Sequence, residues 1–277
     1  MDSDTRMADF ETDAILLRKI EYGDHDLIIT FLTPDRGKIA AIAKNAKQSV
    51  RRFSGALDLF SANQIQCGFP KKNRNGLIIL KHTQLENGFA NIRYDVIKTG
   101  YASYWIEILT LWLEEGKGQP LIYELLYRSL EMLNESDIKT EVISLLFQIR
   151  FMSLSGFTPN LDQCDNCKTK LDDIAFGRLW FDFKEGRIFC KNCMGSNKAK
   201  STDIRDTGYQ SLGMHVSKGT LKQLSWINQE DMNRADRIKF SSLALKEGEK
   251  LLESFIPFHI GRNFKSLKFL RHMRREN

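Results

Sequence analysis

The chain has 277 residues, 42% of them hydrophobic, and a formal charge of +6; that suits a soluble protein of about two domains. No apolar run is long enough to span a bilayer, and the acidic, polar start Met1-Asp2-Ser3-Asp4 is no secretory signal, with Met7 a second candidate start. Residues 14–80 hold 11 basic and 5 acidic side chains and residues 262–277 hold 6 and 1, so positive charge is expected at the two ends of the chain.

Ala14–Ile20, Leu27–Thr33 and Lys38–Ala43 read as three strands, the last two joined by Pro34-Asp35-Arg36-Gly37, a turn with glycine where a positive φ is expected. Leu57–Phe60 with Asn63–Cys67 reads as a fourth strand with a bulge, and Gly76–Leu80 as a fifth, after a turn at 71–75. Five short strands in under 80 residues predict a small barrel, an oligonucleotide-binding (OB) fold first and an SH3-like barrel second. Cys67 reads as a small buried residue, and Asp24-His25-Asp26 as a solvated turn.

From Asp95 the period becomes helical. Ile97, Tyr101, Tyr104, Trp105, Ile108 and Trp112 share one face, and such a stripe reads as core rather than a base-stacking platform. The helix ends near Gly116-Lys117-Gly118, with Glu114-Glu115 facing water; two more follow, over Leu121–Leu133 and from Ser136 towards Leu154. Gly156-Phe157-Thr158-Pro159 stops the last. After Gly195–Ser201, a polar linker, helical stretches are expected within Thr207–Leu224, Asp236–Phe255 and Gly261–Arg275.

Between the third helix and that linker, Cys164-Asp165-Asn166-Cys167 and Cys190-Lys191-Asn192-Cys193 stand 22 residues apart around a predicted hairpin, Phe176–Phe183 returning over Arg187–Phe189. Two such pairs can supply four thiolates to one tetrahedral ion, and a full thiolate shell leaves no position for water, so the site is structural. A disulfide reading needs an oxidising compartment. An iron–sulfur cluster also takes four Cys, but two pairs on a hairpin are closer to a zinc ribbon. The expected cofactor is therefore one structural Zn2+ per chain on Cys164, Cys167, Cys190 and Cys193.

No phosphate-binding glycine loop is present, and the five His are scattered. The strongest binding signal is Arg36 to Arg52, which carries Arg36, Lys38, Lys44, Lys47, Arg51 and Arg52 and no acid; the part with Lys44, Lys47, Arg51 and Arg52 reads as a mobile barrel loop. Lys71, Lys72 and Arg74 add a second basic loop. Such a groove follows phosphates without reading sequence; the bland reading is a solvated charged loop.

The order of parts resembles the RecO family of bacterial recombination and repair proteins over nearly the whole chain. The marks are Gly156-Phe157-Thr158-Pro159 before Cys164, the two Cys pairs, His259-Ile260-Gly261 with Lys265-Ser266, and, diffusely, Gly37-Lys38-Ile39. The resemblance implies an α+β protein: a five-stranded OB-fold barrel at 1–80, then a helical domain at 81–277 with an inserted four-cysteine zinc ribbon at about 160–197. It implies a non-catalytic, cytoplasmic, nucleoid-associated mediator of DNA repair. Such a mediator binds single- and double-stranded DNA, anneals complementary strands, acts with RecR, contacts the C-terminal tail of single-stranded-DNA-binding protein and helps load RecA. Arg262, Lys265 and Lys268 beside apolar positions are the candidate contacts for that acidic, Phe-ending tail. The alternatives are a zinc-ribbon transcription or RNA-binding factor, and a hydrolase with dispersed carboxylates such as Asp24.

Overall fold

Strand alternation builds the first layer. In the computed structural model, which describes residues 9–53, 55–70, 77–175, 177–197, 213–229 and 239–276, β1 (Phe10–Tyr22) sends Ala14 and Leu16 into a core. There they meet Leu27, Ile29 and Phe31 of β2 (Asp26–Thr33) and Ile39, Ala41 and Ala43 of β3 (Gly37–Ala43). Ile65 and Cys67 of β4 (Ala62–Gly68) and Leu80 of β5 (Ile78–Asn87) complete it. The strands run β1-β2-β3-β5-β4, and β4 returns to β1 from Phe10↔Cys67 to Ile15↔Ala62. The sheet is therefore a closed barrel without free edges. One pair, β3 with β5, is parallel. A short helix, α1 (Val50–Phe53), lies between β3 and β4 and places Phe53 in the barrel core. This is the OB-type barrel the strand pattern predicts.

Two strand boundaries differ from the sequence reading. Leu57–Phe60 is turn, and Phe60 adopts φ 75°. β5 runs to Asn87, seven residues past Leu80; its second half is mostly exposed and polar, so it lacks the alternation that marks a strand. Lys71, Lys72, Arg74 and the turn around them lie outside the described residues.

The helices follow their signals. After α2 (Ala90–Tyr94), Asp95 caps α3 (Val96–Trp112), its carboxylate accepting from the N–H groups of Ile97 and Lys98 at 2.8 and 3.0 Å. Tyr101, Tyr104, Trp105 and Ile108 are fully buried, so the aromatic stripe is core. α4 (Pro120–Glu135) starts on its proline and α5 (Thr140–Leu154) follows. The chain forms two compact units, residues 1–136 with 269–277, and residues 137–268.

The second unit holds a four-stranded sheet in the order β6-β8-β7-β9, with β6 (Asn160–Cys164), β7 (Arg178–Asp182), β8 (Arg187–Phe189) and β9 (Gly213–Ser217). The stretch expected to be helical over Thr207–Leu224 therefore contains a strand, and α7 (Lys218–Gln229) begins after it. β9 fits against β7 only through a glycine: a Cβ on Gly213 would stand 2.3 Å from the Phe181 carbonyl oxygen. The expected linker opens as a helix, α6 (Lys191–Asn197). Ser241 caps α8 (Ser242–Ile260), which passes through Pro257 and ends on Gly261 at φ 69°; α9 (Lys265–Glu276) starts four residues later than expected.

One contact inside the first unit is set by two glycines. The β2–β3 turn meets the α3–α4 connection backbone to backbone. Gly116 N–H donates to Lys38 O at 3.2 Å, and Gln119 N–H to Pro34 O at 2.9 Å. A Cβ on Gly37 would sit 1.9 Å from Lys117 O, and one on Gly118 would sit 2.4 Å from Asp35 O. Gly37 also has φ 60°, so it satisfies a left-handed turn and a close approach together. Gly23 shares φ 60° with open space around it. Gly23→Ala should then lower stability by about 1 kcal/mol and Gly37→Ala by roughly 3 kcal/mol or more, measured by denaturant unfolding; equal losses would mean the close approach is not needed.

Candidate metal centre and nucleic-acid surface

The four cysteines are brought together by two turns at the ends of parallel strands. Cys164 ends β6, opposite Ile188 of β8, and Cys190 follows β8 directly. After Cys164 the chain folds under itself. Lys168 N–H donates to Cys164 O and Cys164 N–H to Thr169 O, both at 2.9 Å. Lys168 takes φ 57°, where glycine is the usual residue. Cys193 sits in the first turn of α6, its N–H on Cys190 O at 3.0 Å. β7 and β8 form the predicted hairpin, with Gly186 at φ 63° in its turn.

The four sulfur atoms lie within 4.8 Å of one another, and Cys167 Sγ is 3.8 Å from Cys190 Sγ. A tetrahedral ion with sulfurs at about 2.3 Å sets them about 3.8 Å apart. The donor set thus fits a four-thiolate metal shell. The Cys190 N–H points at Cys164 Sγ at 3.3 Å, as a donor to a thiolate does. Burial pushes the Cys190 thiol up to about 12, whereas the Thr169 hydroxyl draws the exposed Cys167 down to about 6. A divalent cation overrides that split and stabilises all four thiolates. Such a centre can hold chain together but offers no open position to a substrate. Asp165 beside it is bridged by Lys168 at 3.1 Å and Arg187 at 3.0 Å. Burial works against its charge, but these two bonds hold its carboxyl below the ordinary value. Among the described residues no other group of three or more His, Cys, Asp or Glu converges this way, the Asp24-His25-Asp26 turn included.

The sheet is buttressed by α8. Phe181 meets Phe255 edge-on at 5.2 Å, and His259 lies 4.5 Å from Phe255 and 4.6 Å from Phe157, ring centre to ring centre. His259 Nε2 is 2.8 Å from Phe183 O; the carbonyl only accepts, so Nε2 carries the hydrogen. Burial lowers the His259 pKa from its ordinary 6.5. Glu247, which the sequence reading missed, is buried in α8 and takes the Ser217 N–H at 3.0 Å and the Thr220 hydroxyl at 2.7 Å. Arg178 Nη2 stands 2.7 Å from its other oxygen while donating to His215 O at 2.8 Å. Burial opposes the Glu247 charge, but these partners outweigh it and hold the carboxyl low. The one sequence signal for Glu247 was an acid inside an apolar helix face.

The basic run of the barrel is divided by β3. Arg36 and Lys38 lie at its start, roughly 20 Å of strand from Lys44. Arg36 stacks 4.0 Å over the Phe10 ring, and Lys38 Nζ donates to Thr110 O at 2.8 Å, so both are engaged locally. Lys44, Lys47, Arg51 and Arg52 gather at the other end. Leu27 pairs Ala43 there, and Gly68 and Ile42 both pair Ile79. The β1–β2 turn, the segment after β3 and both ends of the β4–β5 connection, which carries Lys71, Lys72 and Arg74, therefore leave the barrel together.

The expected mobile loop is fastened. Asn45 N–H donates to Asp26 Oδ1 at 2.7 Å, Lys47 N–H to His25 O at 3.1 Å, and Arg52 Nη2 to Lys44 O at 2.6 Å. Lys47 pairs with Glu21 at 2.9 Å, an acid that a count along one run could not reveal. Lys44 and Arg51 are exposed. At the C-terminus Arg262, Lys265 and Lys268 are exposed and Phe269 is 45% exposed, beside buried Phe264 and Leu267. No helix among the described residues is long and apolar enough to cross a membrane.

Comparison with known proteins returns one family. Residues 7–89 match Recombination protein O N terminal, and residues 93–268 match Recombination protein O C terminal. The chain is 43% identical to a protein of Desulfatibacillum aliphaticivorans over 266 residues, 96% of this chain and 98% of that one. It is 35% identical to one of Desulfosudis oleivorans, over 97% of this chain and 99% of the relative. It is 27% identical to one of Bacillus pumilus, over 95% and 94%. Each relative is called DNA repair protein RecO.

Two outcomes follow from this geometry. Elemental analysis of protein purified without added metal should find about one ion per chain, and Cys190→Ser should lose it and destabilise the 137–268 unit by more than about 3 kcal/mol before the barrel unfolds. Full stability without metal would contradict the centre. His259 is lowered in the folded state, so the unfolded chain binds its proton first. Its contribution to stability is complete above pH 6.5 and is lost as pH falls below that value. Unfolding curves at pH 7.5 and 5.5 should differ less in His259→Phe than in the wild type; an equal difference would assign the pH dependence to other groups.

Proposed function

The chain belongs to the RecO family of DNA repair proteins, and from that premise we propose that it is a non-catalytic mediator that binds single- and double-stranded DNA and anneals complementary strands. The observation that carries the reading is the gathering of Lys44, Lys47, Arg51 and Arg52 at the end of a closed barrel where three inter-strand connections emerge. Barrels of this type use such connections to hold oligonucleotides. Lys44 and Arg51 are the best phosphate contacts, because their charges are exposed. Lys47 and Arg52 shape the segment as well as charging it, since each has a partner within the barrel unit. Arg36 and Lys38 would contribute field rather than contact, and Lys71, Lys72 and Arg74 add basic charge to the connection between β4 and β5.

Annealing needs no covalent step. Two polyanions repel, and a cationic surface that binds one strand lowers that repulsion for the second. In this reading the metal is zinc, held by Cys164, Cys167, Cys190 and Cys193 as a brace with no step of its own. Family membership supports a cytoplasmic role with RecR, contact with the tail of single-stranded-DNA-binding protein, and assistance to RecA loading. The exposed cations Arg262, Lys265 and Lys268 suit an acidic tail ending in phenylalanine.

The double variant Lys44→Ala/Arg51→Ala tests the phosphate surface without cutting a fold contact. Its oligonucleotide affinity should fall, and the log–log salt slope should become shallower by roughly 0.7 for each lost single-strand contact. The loss should be similar for all base sequences, because phosphates carry no code. An unchanged affinity and slope would refute this surface. A loss confined to one sequence would favour the transcription- or RNA-factor reading instead.

A further inference from the structure

The sheet that carries the cysteines has a second face. Leu179, Phe181, Ile188 and Val216 are buried, with Phe181 against Phe255 of α8. Strand alternation therefore turns Trp180, Phe189 and His215 the other way. The register places Trp180 directly opposite Phe189 on one side and His215 on the other. Three rings thus form one row across three adjacent strands, spaced at about 4.8 Å per strand. Trp180 and Phe189 are half-buried and His215 is exposed. Trp180 meets the His215 ring at 5.2 Å, and a Cβ on Gly213 would stand 2.7 Å from the indole. The indole is held in orientation by packing over a glycine.

Cations border this row. Arg178 and Arg187 each lie two residues along the strand from a ring of the row, Trp180 and Phe189, and Arg187 pairs Asp182. Each is anchored by a carboxylate, Glu247 or Asp165, with 53% and 46% of the side chain still exposed. Lys184 and Lys191 are exposed in the same stretch. Two acids, Asp182 and Glu185, lie among them, and the Asp182 carboxylate accepts the Glu185 N–H at 2.9 Å.

We propose that the row Phe189–Trp180–His215 stacks unpaired bases of a single strand while the bordering cations meet its phosphates. The 137–268 unit would then hold a nucleic-acid surface of its own, in addition to the one proposed on the barrel. The proposal rests on the reading of the chain as a DNA-binding protein and adds a site to it. The Trp180 and His215 rings meet edge to face at 73°, and a row of ring faces and edges bordered by guanidinium and ammonium groups fits bases and phosphates, whereas an apolar peptide needs a groove. Stacking also suits annealing, because a base held by its face leaves its pairing edge free for a complementary strand. Phe189 immediately precedes Cys190, so the metal centre fixes the strand that presents it.

The test compares full-length protein on an oligo-dT strand and on an abasic phosphodiester of the same length. The variants are Phe189→Leu/His215→Ala and His215→Ala alone, with metal content as the check on folding. The double variant should lose about 5- to 30-fold in affinity for oligo-dT, and keep wild-type affinity for the abasic strand and the wild-type salt slope. His215→Ala, at an exposed position, should lose about threefold or more on oligo-dT even if the double variant fails to fold. Unchanged oligo-dT affinity in His215→Ala would overturn the proposal and leave the row as a plain sheet surface. Equal losses on both strands in folded protein would also overturn it, by making the effect electrostatic. A wild type that binds neither strand would remove the DNA-binding reading itself, and this site with it.

Discussion

Four sulfur atoms within 4.8 Å of one another cannot all ionise without a cation among them. The 137–268 unit is arranged around that cluster. β6 and β8 share only two register pairs, Asn160↔Arg187 and Cys164↔Ile188, with an irregularity between them. Hydrogen bonds alone would hold such a contact weakly, so the junction falls to the sulfurs at the strand ends. A metal on these sulfurs would add to the core of a small sheet. Once β8 is fixed, the rest follows by register. Phe181 is delivered to Phe255 on one face, Trp180 and Phe189 are turned to the other, and Arg178 is placed beside Glu247.

The barrel reaches its order differently, by closing on itself through β1. That strand is long enough to pair with β4 in its first part and β2 in its second. The register shift between Leu16 and Arg18 then sets Lys19 opposite Ile29 and Glu21 opposite Leu27. Lys19 reaches Leu57 O at 2.7 Å and Glu21 reaches Lys47. One bulge therefore decides which charges stand at the barrel rim. The cationic end is moderated by acids from a neighbouring strand, and its field is smaller than the basic run suggests.

Much of this was legible in the sequence because it is local. The Cys spacing, the hairpin between the pairs, the helix start at Asp95 and the buried stripe of α3 depend on residues a few positions apart. The second half of β5 was hidden because its exposed polar residues erase the period of two. β9 was hidden because a five-residue strand before a helix shares its apolar spacing with the helix. The close approach of Gly37 and Gly118, the Lys47–Glu21 pair and the triple engagement of Glu247 join residues far apart in sequence, and no single stretch records them. The basic run misled in a specific way. It is continuous in sequence, yet β3 carries its two halves to opposite ends of the barrel.

The central claim is that this chain brings complementary strands together by binding alone. The direct measurement is duplex formation from complementary oligonucleotides, each coated with the cognate single-stranded-DNA-binding protein, without nucleotide triphosphate. Duplex yield should rise with protein concentration and fall with added salt, and both strands should be recovered intact. Cleaved strands, metal-dependent turnover or an annealing rate no faster than that of the coated strands alone would contradict it.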